Sequence, residues 1–175
     1  MSLNSMNNRW MPRPEINTDC VMNMDDDAFC KSPYFKSLVP LNVLKQAFYL
    51  WKKNPDQLIG YKNTARKHIF HLSTSSYTYE RYWHELELGN SIVLPYGMFY
   101  HRDMLQIYMS KSLEASRGLV DMHNNCDDIL LNFAVSNYTG KPPLFIGECH
   151  QRLIIRYDRE TNETKERSME ETITF

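Results

Sequence analysis

The 175-residue chain lacks the features that would direct it to nucleic acid or into a bilayer. Its net charge of −1 gives no field that attracts a polyanion. It contains no run of about eighteen apolar residues, the length that a membrane-spanning helix needs. It also has no N-terminal segment that joins a basic start to a long apolar stretch. We therefore expect a soluble globular chain with no nucleic-acid partner and no membrane anchor within these residues.

The residue spacings typical of a zinc site are missing as well. Short paired spacing is absent among the four cysteines, Cys20, Cys30, Cys126 and Cys149. The histidines His68, His71 and His84 are scattered, and a three-residue spacing suits one face of a strand poorly. Zinc binding is therefore disfavoured.

Three consecutive carboxylates, Asp25, Asp26 and Asp27, directly follow a run over residues 18–24 that predicts a buried strand. Their mutual repulsion grows as the effective dielectric falls in a cleft, and a divalent cation removes it. Hard oxygen ligands suit Mg²⁺ or Mn²⁺, which commonly complete their shells with substrate phosphates. The acids therefore predict a nucleotide or nucleotide-sugar site. A solvated acidic turn that caps the following helix is the alternative.

Predicted strands and helices alternate along the chain, without an internal repeat. Residues Leu41 to Lys53 carry apolar side chains at helical spacing, which predicts an amphipathic helix with Trp51 in its packed face. We also predict helices over residues 101–110, 114–123 and 129–136, the last opened by Asp127 and Asp128, and strands over 57–61, 68–72, 91–95 and at Phe145. Residues 152–157 continue as helix or strand. The alternation indicates a single α/β domain.

Motifs at three places along the chain, in one order, carry a resemblance to a known family. The first is Asn4-Ser-Met-Asn-Asn-Arg-Trp-Met-Pro12 with Ile16-Asn-Thr-Asp-Cys-Val-Met-Asn-Met-Asp-Asp-Asp27. The second is Ala47-Phe-Tyr-Leu-Trp51 with Pro55-Asp-Gln-Leu-Ile-Gly60, and the third is Asn125-Cys-Asp-Asp-Ile-Leu-Leu-Asn-Phe133. Together they resemble the exostosin family, the glycosyltransferases that build heparan sulfate chains. Several spaced motifs in one order are more specific than any one of them.

The resemblance implies an α/β fold of the GT-A-like, nucleotide-sugar-binding kind, with a mixed sheet flanked by helices. It assigns residues 1–160 to a partial glycosyltransferase domain without the first nucleotide-binding strands. Separately, the charged composition of residues 161–175 predicts a mobile tail. The implied reaction moves N-acetylglucosamine from UDP-N-acetylglucosamine, with retention, to a heparan sulfate or linker acceptor that ends in glucuronic acid. The implied location is the lumen of the endoplasmic reticulum or Golgi, as a type II membrane protein at full length. A homo- or hetero-oligomer is left open.

The resemblance also implies roles for the acids at residues 25–27 and for two residues before them. Asp27 would ligate Mn²⁺, with Mg²⁺ as a substitute, and Asp25 would share the metal shell through bound water. Asp25 and Asp26 would hold the ribose, the sugar hydroxyls or metal-bound water. Asn4 and Arg9 match positions that contact the nucleotide sugar, and an arginine can bind phosphate oxygens in a two-pronged geometry.

Asp128 matches the candidate catalytic acid of the family. Its carboxylate would stabilise an oxocarbenium-like transition state or act as the nucleophile, unless the departing phosphate assists an attack on the same face of the sugar. Asp127 and Asn125 are the second candidates for substrate binding and catalysis, since they lie within one helical turn of Asp128. Acids that favour the start of a helix electrostatically are the structural alternative.

Cys126 and Cys149 match a disulfide of the family, which would close a loop of about 23 residues and contribute about 3 kcal/mol. Such a bond requires an oxidising compartment. Cys20 and Cys30 are expected to be buried thiols. Separately, Asn137 and Asn162 begin Asn-x-Thr triplets, the acceptor pattern for N-glycosylation.

The chain also departs from the family pattern. It begins at the Asn4 segment, so the strand that ends at Met24 is expected to form a sheet edge. The stretch between Pro143 and Cys149 contains no arginine, whereas the family has a catalytic-site arginine there. A non-catalytic remnant, acting as a binding or partner-stabilising module, is therefore the alternative function. A two-metal phosphatase or nuclease lacks the further ligands that it needs.

Aromatic residues follow the predicted strand at 68–72. They form either a sugar-stacking platform or core, with core favoured for at least two of Tyr77, Tyr79, Tyr82 and Trp83.

Overall fold

The structure, a computed structural model, describes residues 4–24, 41–81, 90–146, 156–157 and 164–165. Its first element is a 3-10 turn, Met6–Trp10. The helices are α1 (Leu41–Lys53), α2 (Met104–Tyr108), α3 (Glu114–His123) and α4 (Asp127–Thr139). The strands are β1 (Cys20–Asn23), β2 (Ile59–Tyr61), β3 (Ala65–His71), β4 (Ser76–Arg81), β5 (Ile92–Val93), β6 (Met98–His101), β7 (Leu144–Ile146), β8 (Arg156–Tyr157) and β9 (Thr164–Lys165).

A mixed four-stranded sheet has the strand order β1-β6-β2-β7. β6 is antiparallel to both β1 and β2, whereas β2 and β7 are parallel. Among the described strands, β1 pairs only with β6 and so forms an edge of this sheet. Helices and a mixed sheet confirm the predicted α/β class.

A second sheet has the order β4-β3-β5. β3 and β4 form an antiparallel hairpin, and β5 pairs antiparallel with the beginning of β3. β8 and β9 form a separate antiparallel pair. β9 lies in the segment that we assigned to a charged tail. Within the described segments, no helix combines the length and the apolar character of a membrane span.

Two buried apolar clusters hold these elements together. One surrounds Trp10 and includes Met98 of β6 and Leu131 of α4. The other packs Ala47 and Trp51 of α1 against the mixed sheet. The ring of Trp51 also stacks on His101 with centroids 6.2 Å apart, so the predicted packing role of Trp51 is confirmed.

The predicted helix over residues 101–110 is wrong at its start. His101 ends β6, and α2 is confined to Met104–Tyr108. The reason is that β6 is paired on both sides, and this pairing outweighs local helical preference. The predicted strand at 68–72 also begins earlier, at Ala65, because the preceding residues form a short 3-10 turn, Lys62–Thr64.

Candidate active site

The head of α4 carries two adjacent acids, and the first of them is buried against Trp10 and Arg9. Asp127 is 3% exposed. Its Oδ2 accepts a 2.8 Å hydrogen bond from Trp10 Nε1 and lies 3.9 Å from Arg9 Nη1. Trp10 is itself completely buried. Asp127 therefore fastens the 3-10 turn to α4.

The second acid, Asp128, is held differently. It is partly buried, and its Oδ1 accepts a 2.7 Å hydrogen bond from the backbone N–H of Ile129. Burial raises the pKa of Asp128, and the neighbouring charge of Asp127 raises this pKa further. The Ile129 N–H and Arg9 lower it. The net direction is upward. A carboxylate in this state is poorly hydrated, so it interacts strongly with positive charge brought close to it.

Asn132 anchors the first turn of α4 to β5. It is completely buried, and its Oδ1 accepts a 2.8 Å hydrogen bond from Val93 N. Its Nδ2 donates to Val93 O and to Asp128 O, both at 2.8 Å. The backbone of Asp128 is thereby fixed to the neighbouring strand.

The end of β1 contacts the same short segment as α4. Asn23 Nδ2 donates a 3.2 Å hydrogen bond to Pro95 O, and Asn23 O accepts a 3.0 Å bond from Gly97 N. Pro95 follows Val93 by two residues, a separation of about 7 Å at most. The C-terminal end of β1 and Asn132 of α4 therefore bond to positions two residues apart in one segment.

Arg9 is the positively charged member of the site. Its side chain is 32% exposed, and its Cζ lies 5.9 Å from the centroid of the Trp10 ring. It also lowers the pKa of Tyr100, although burial has the larger effect and raises that pKa to about 12. Asn4 is exposed, just before the turn that carries Arg9. The structure therefore brings together Arg9, Asp127 and Asp128 of the predicted residues.

Several predicted site residues lie outside the described part of the chain: Asp25, Asp26, Asp27, Cys30, Cys149 and Asn162. Among the described residues, no group of three histidine, cysteine or acidic side chains could hold a metal ion. Metal ligation by Asp25 and Asp27 stays a prediction, as does the Cys126–Cys149 bond. Cys126 is exposed.

Other predictions concern thiols, histidines and aromatics. Cys20 is only partly buried, and burial raises its pKa to about 11. His68 Nδ1 lies 2.5 Å from Ser91 Oγ, and His71 Nε2 lies 2.6 Å from Thr78 Oγ1, so the two histidines have separate hydroxyl partners.

Tyr77 and Tyr79 are exposed at 68% and 48%, so neither belongs to the core. Tyr82, Trp83 and His84 lie outside the described residues.

Trp10, Asn132 and Asn7 are site residues that the sequence did not single out. The Trp10–Asp127 bond joins residues 117 positions apart, and no local pattern encodes such a contact. For Trp10, the available sequence signal was its position next to Arg9 in a motif that resembles the family.

A sequence model described as the glycosyl transferase family 64 domain matches residues 1–172. Exostosin-like 2 of Mus musculus is 35% identical over 167 residues, which cover 91% of this chain and 45% of that protein. Exostosin-2 of Homo sapiens is 33% identical over 139 residues, 79% of this chain and 17% of that protein. Glycosylinositol phosphorylceramide mannosyl transferase 1 of Arabidopsis thaliana is 28% identical over 146 residues, 81% of this chain and 40% of that protein. The chain thus spans less than half the length of these relatives.

Proposed function

This chain belongs to glycosyltransferase family 64, and from that premise we propose that it carries the sugar-transfer site of a retaining enzyme. The donor is UDP-N-acetylglucosamine, and the acceptor is a glycan that ends in glucuronic acid. The observation that carries this proposal is the contrast between Asp127, whose Oδ2 contacts the Trp10 indole and Arg9, and Asp128, whose Oδ1 accepts the backbone N–H of Ile129.

Asp128 is the proposed catalytic residue. Positive charge develops at the anomeric carbon as the bond to the diphosphate breaks, and a poorly hydrated carboxylate beside it stabilises that charge. Direct attack by the carboxylate to form a covalent intermediate is also consistent with retention. The hydrogen bond from Asn132 to Asp128 O supports either role, because it fixes the backbone from which the carboxylate projects.

Arg9 and the acids after β1 are the proposed donor-binding groups. Arg9 is partly exposed and has a planar cation suited to phosphate oxygens. Asp25 follows Asn23 by two residues in the sequence. Asn23 in turn bonds to the segment that contacts α4. This arrangement supports one cleft between β1 and α4.

The chemistry of the predicted metal ligands fits a hard divalent cation, since Asp25 and Asp27 offer carboxylate oxygens. Mn²⁺ bound there supplies positive charge for the diphosphate leaving group. The sugar itself follows from the exostosin resemblance. Mannose is the alternative sugar, because a relative named as a mannosyl transferase is 28% identical to this chain.

Isothermal titration calorimetry with Mn²⁺ tests the proposal, with UDP-N-acetylglucosamine injected into the parent and into Asp27→Ala. We expect heat of binding in the parent and little in the variant. A transfer assay then uses an acceptor ending in glucuronic acid, with GDP-mannose as the competing donor. Equal heats of binding in both proteins would contradict the proposed metal site. Donor binding without transfer would favour the non-catalytic binding module.

A further inference from the structure

The 3-10 turn that carries Arg9 and Trp10 is held from outside the site. A five-residue turn of this kind has poor intrinsic hydrogen-bond geometry and little stability alone. Both of its functional side chains nevertheless have definite positions against Asp127. The bond from Trp10 to Asp127 holds the C-terminal end of the turn, and a second contact holds its beginning.

Asn7 makes that contact, two residues before Arg9. Its side chain is 3% exposed. Its Nδ2 donates to Asp121 Oδ1 at 2.8 Å and to Arg117 O at 3.0 Å, and its Oδ1 accepts from the Tyr108 hydroxyl at 2.5 Å. One amide thus connects the turn to α2 and α3.

The neighbouring contacts reinforce this connection. Ser5 Oγ accepts a 3.1 Å bond from Asn7 N, and its hydroxyl contacts Asp121. Arg117 Nη1 donates to Tyr108 O at 2.6 Å and to Ser110 O at 2.9 Å, which joins α3 to the end of α2. The partners of Asn7 are therefore fixed relative to one another.

The orientation of the Asn7 amide is set by the chemistry of its partners. Burial, followed by the charge of Asp127, raises the pKa of Tyr108 far above its ordinary value, so its hydroxyl remains protonated and donates. Asp121 can only accept when ionised. The amide oxygen must then face Tyr108 and the amide nitrogen must face Asp121.

We propose that Asn7, Tyr108 and Asp121 form a positioning clamp that fixes Arg9 and Trp10 against Asp127, and thereby sets the donor site at the head of α4. The clamp residues are positioning residues, since the contacts that define the clamp reach neither Asp127 nor Asp128. The inference rests on the proposed function for its effect on donor binding. Its effect on Trp10 is independent of that function.

The test is Asn7→Asp, which keeps the side-chain shape but sets a carboxylate against Asp121. We expect hydrogen exchange of the Trp10 indole N–H, followed by NMR, to accelerate about tenfold or more, since a buried polar network loses its pairing. The indole of Trp51, on α1, is the internal control and should be unchanged. The affinity for UDP-N-acetylglucosamine should fall by a similar factor. Asn137→Asp makes the same substitution at an exposed position and should change neither quantity.

A double variant distinguishes a positioning clamp from a general effect of Asn7 on stability. In Asn7→Asp/Asp121→Asn the amide and the carboxylate exchange places, so we expect indole protection and donor affinity to recover in part. If Asn7→Asp does not fold, Tyr108→Phe removes a single hydroxyl and should give a smaller change in the same direction.

An Asn7→Asp protein that melts earlier but keeps Trp10 protection and donor affinity would overturn the proposal. So would a double variant that recovers neither. A parent that binds no donor would refute the proposed function, while the exchange of the Trp10 indole would still decide the clamp.

Discussion

At the head of α4, two adjacent carboxylates have opposite surroundings. Asp127 receives the Trp10 indole and faces Arg9, so its charge is compensated within the protein. Asp128 is partly removed from water and receives the Ile129 N–H. A charge that the protein leaves partly uncompensated costs stability and is available to a bound ligand. This difference is the physical basis for assigning Asp128 to chemistry and Asp127 to positioning.

The stability of an Asp128→Asn variant should follow from the pKa of Asp128. That pKa is raised in the folded protein, so ionised Asp128 destabilises the fold above the folded pKa. The penalty disappears as the pH falls below the ordinary value of 3.8. We therefore expect the variant to melt at a higher temperature than the parent at pH 7, with the difference shrinking toward low pH, and to lose sugar transfer.

Thermal unfolding followed by circular dichroism across this pH range measures the effect. Asp127→Ala is the matched control, because it leaves the buried Trp10 N–H without its acceptor and should lower stability by about 1–3 kcal/mol. If Asp128→Asn instead melted earlier than the parent at pH 7, the account of its desolvation would be wrong.

At the scale of elements, the helices were the most predictable part of the chain. The predicted bounds of α1 and α3 agree with the structure, because apolar spacing and breaks at Asn54 and Asn124 are local signals. His101, the last residue of β6, was mistaken for the start of a helix, because its strand character comes from pairing with Cys20 of β1. The acids at the head of α4 were recognisable from their motif. Their differing partners were not, since Trp10 and Asn132 act through tertiary contacts.

On α4, the proposed catalytic residue Asp128 lies far from Asn137, a predicted N-glycosylation acceptor. Asn137 is exposed and follows Asp128 by nine residues, which places it on the opposite side of the helix and about 14 Å along its axis. A glycan at Asn137 would therefore leave the head of α4 open. We expect protein secreted from eukaryotic cells to carry one there.

Peptide-N-glycosidase treatment and peptide mass spectrometry check this expectation. Asn137→Gln should lose the mass of one glycan and keep its donor affinity, whereas Thr139→Ser keeps the acceptor pattern and should retain the glycan. Asn162→Gln removes the second predicted acceptor, so that glycans at the two positions can be distinguished. An unmodified Asn137 in secreted protein would count against the predicted lumenal site.

At the scale of the whole molecule, the fold joins parts of the site that are far apart in sequence. The segment from Val93 to Pro95 bonds to Asn132 on α4 and to Asn23 at the end of β1. The 3-10 turn then closes onto α4 through Trp10 and Asp127. The ordered motifs predicted which residues would take part, whereas the contacts among the described ones depend on sheet order and long-range bonds. The central claim is that a cation held after β1 and the carboxylate of Asp128 face one donor.

Paramagnetic broadening of backbone amide NMR signals by Mn²⁺ in the presence of UDP tests this claim most directly, with Mg²⁺ as the diamagnetic control. The account predicts strong broadening of the Asp127 and Asp128 signals, and much weaker broadening at Tyr138, about 15 Å farther along α4. Equal broadening at both ends of α4, or broadening confined to the Tyr138 end, would contradict it.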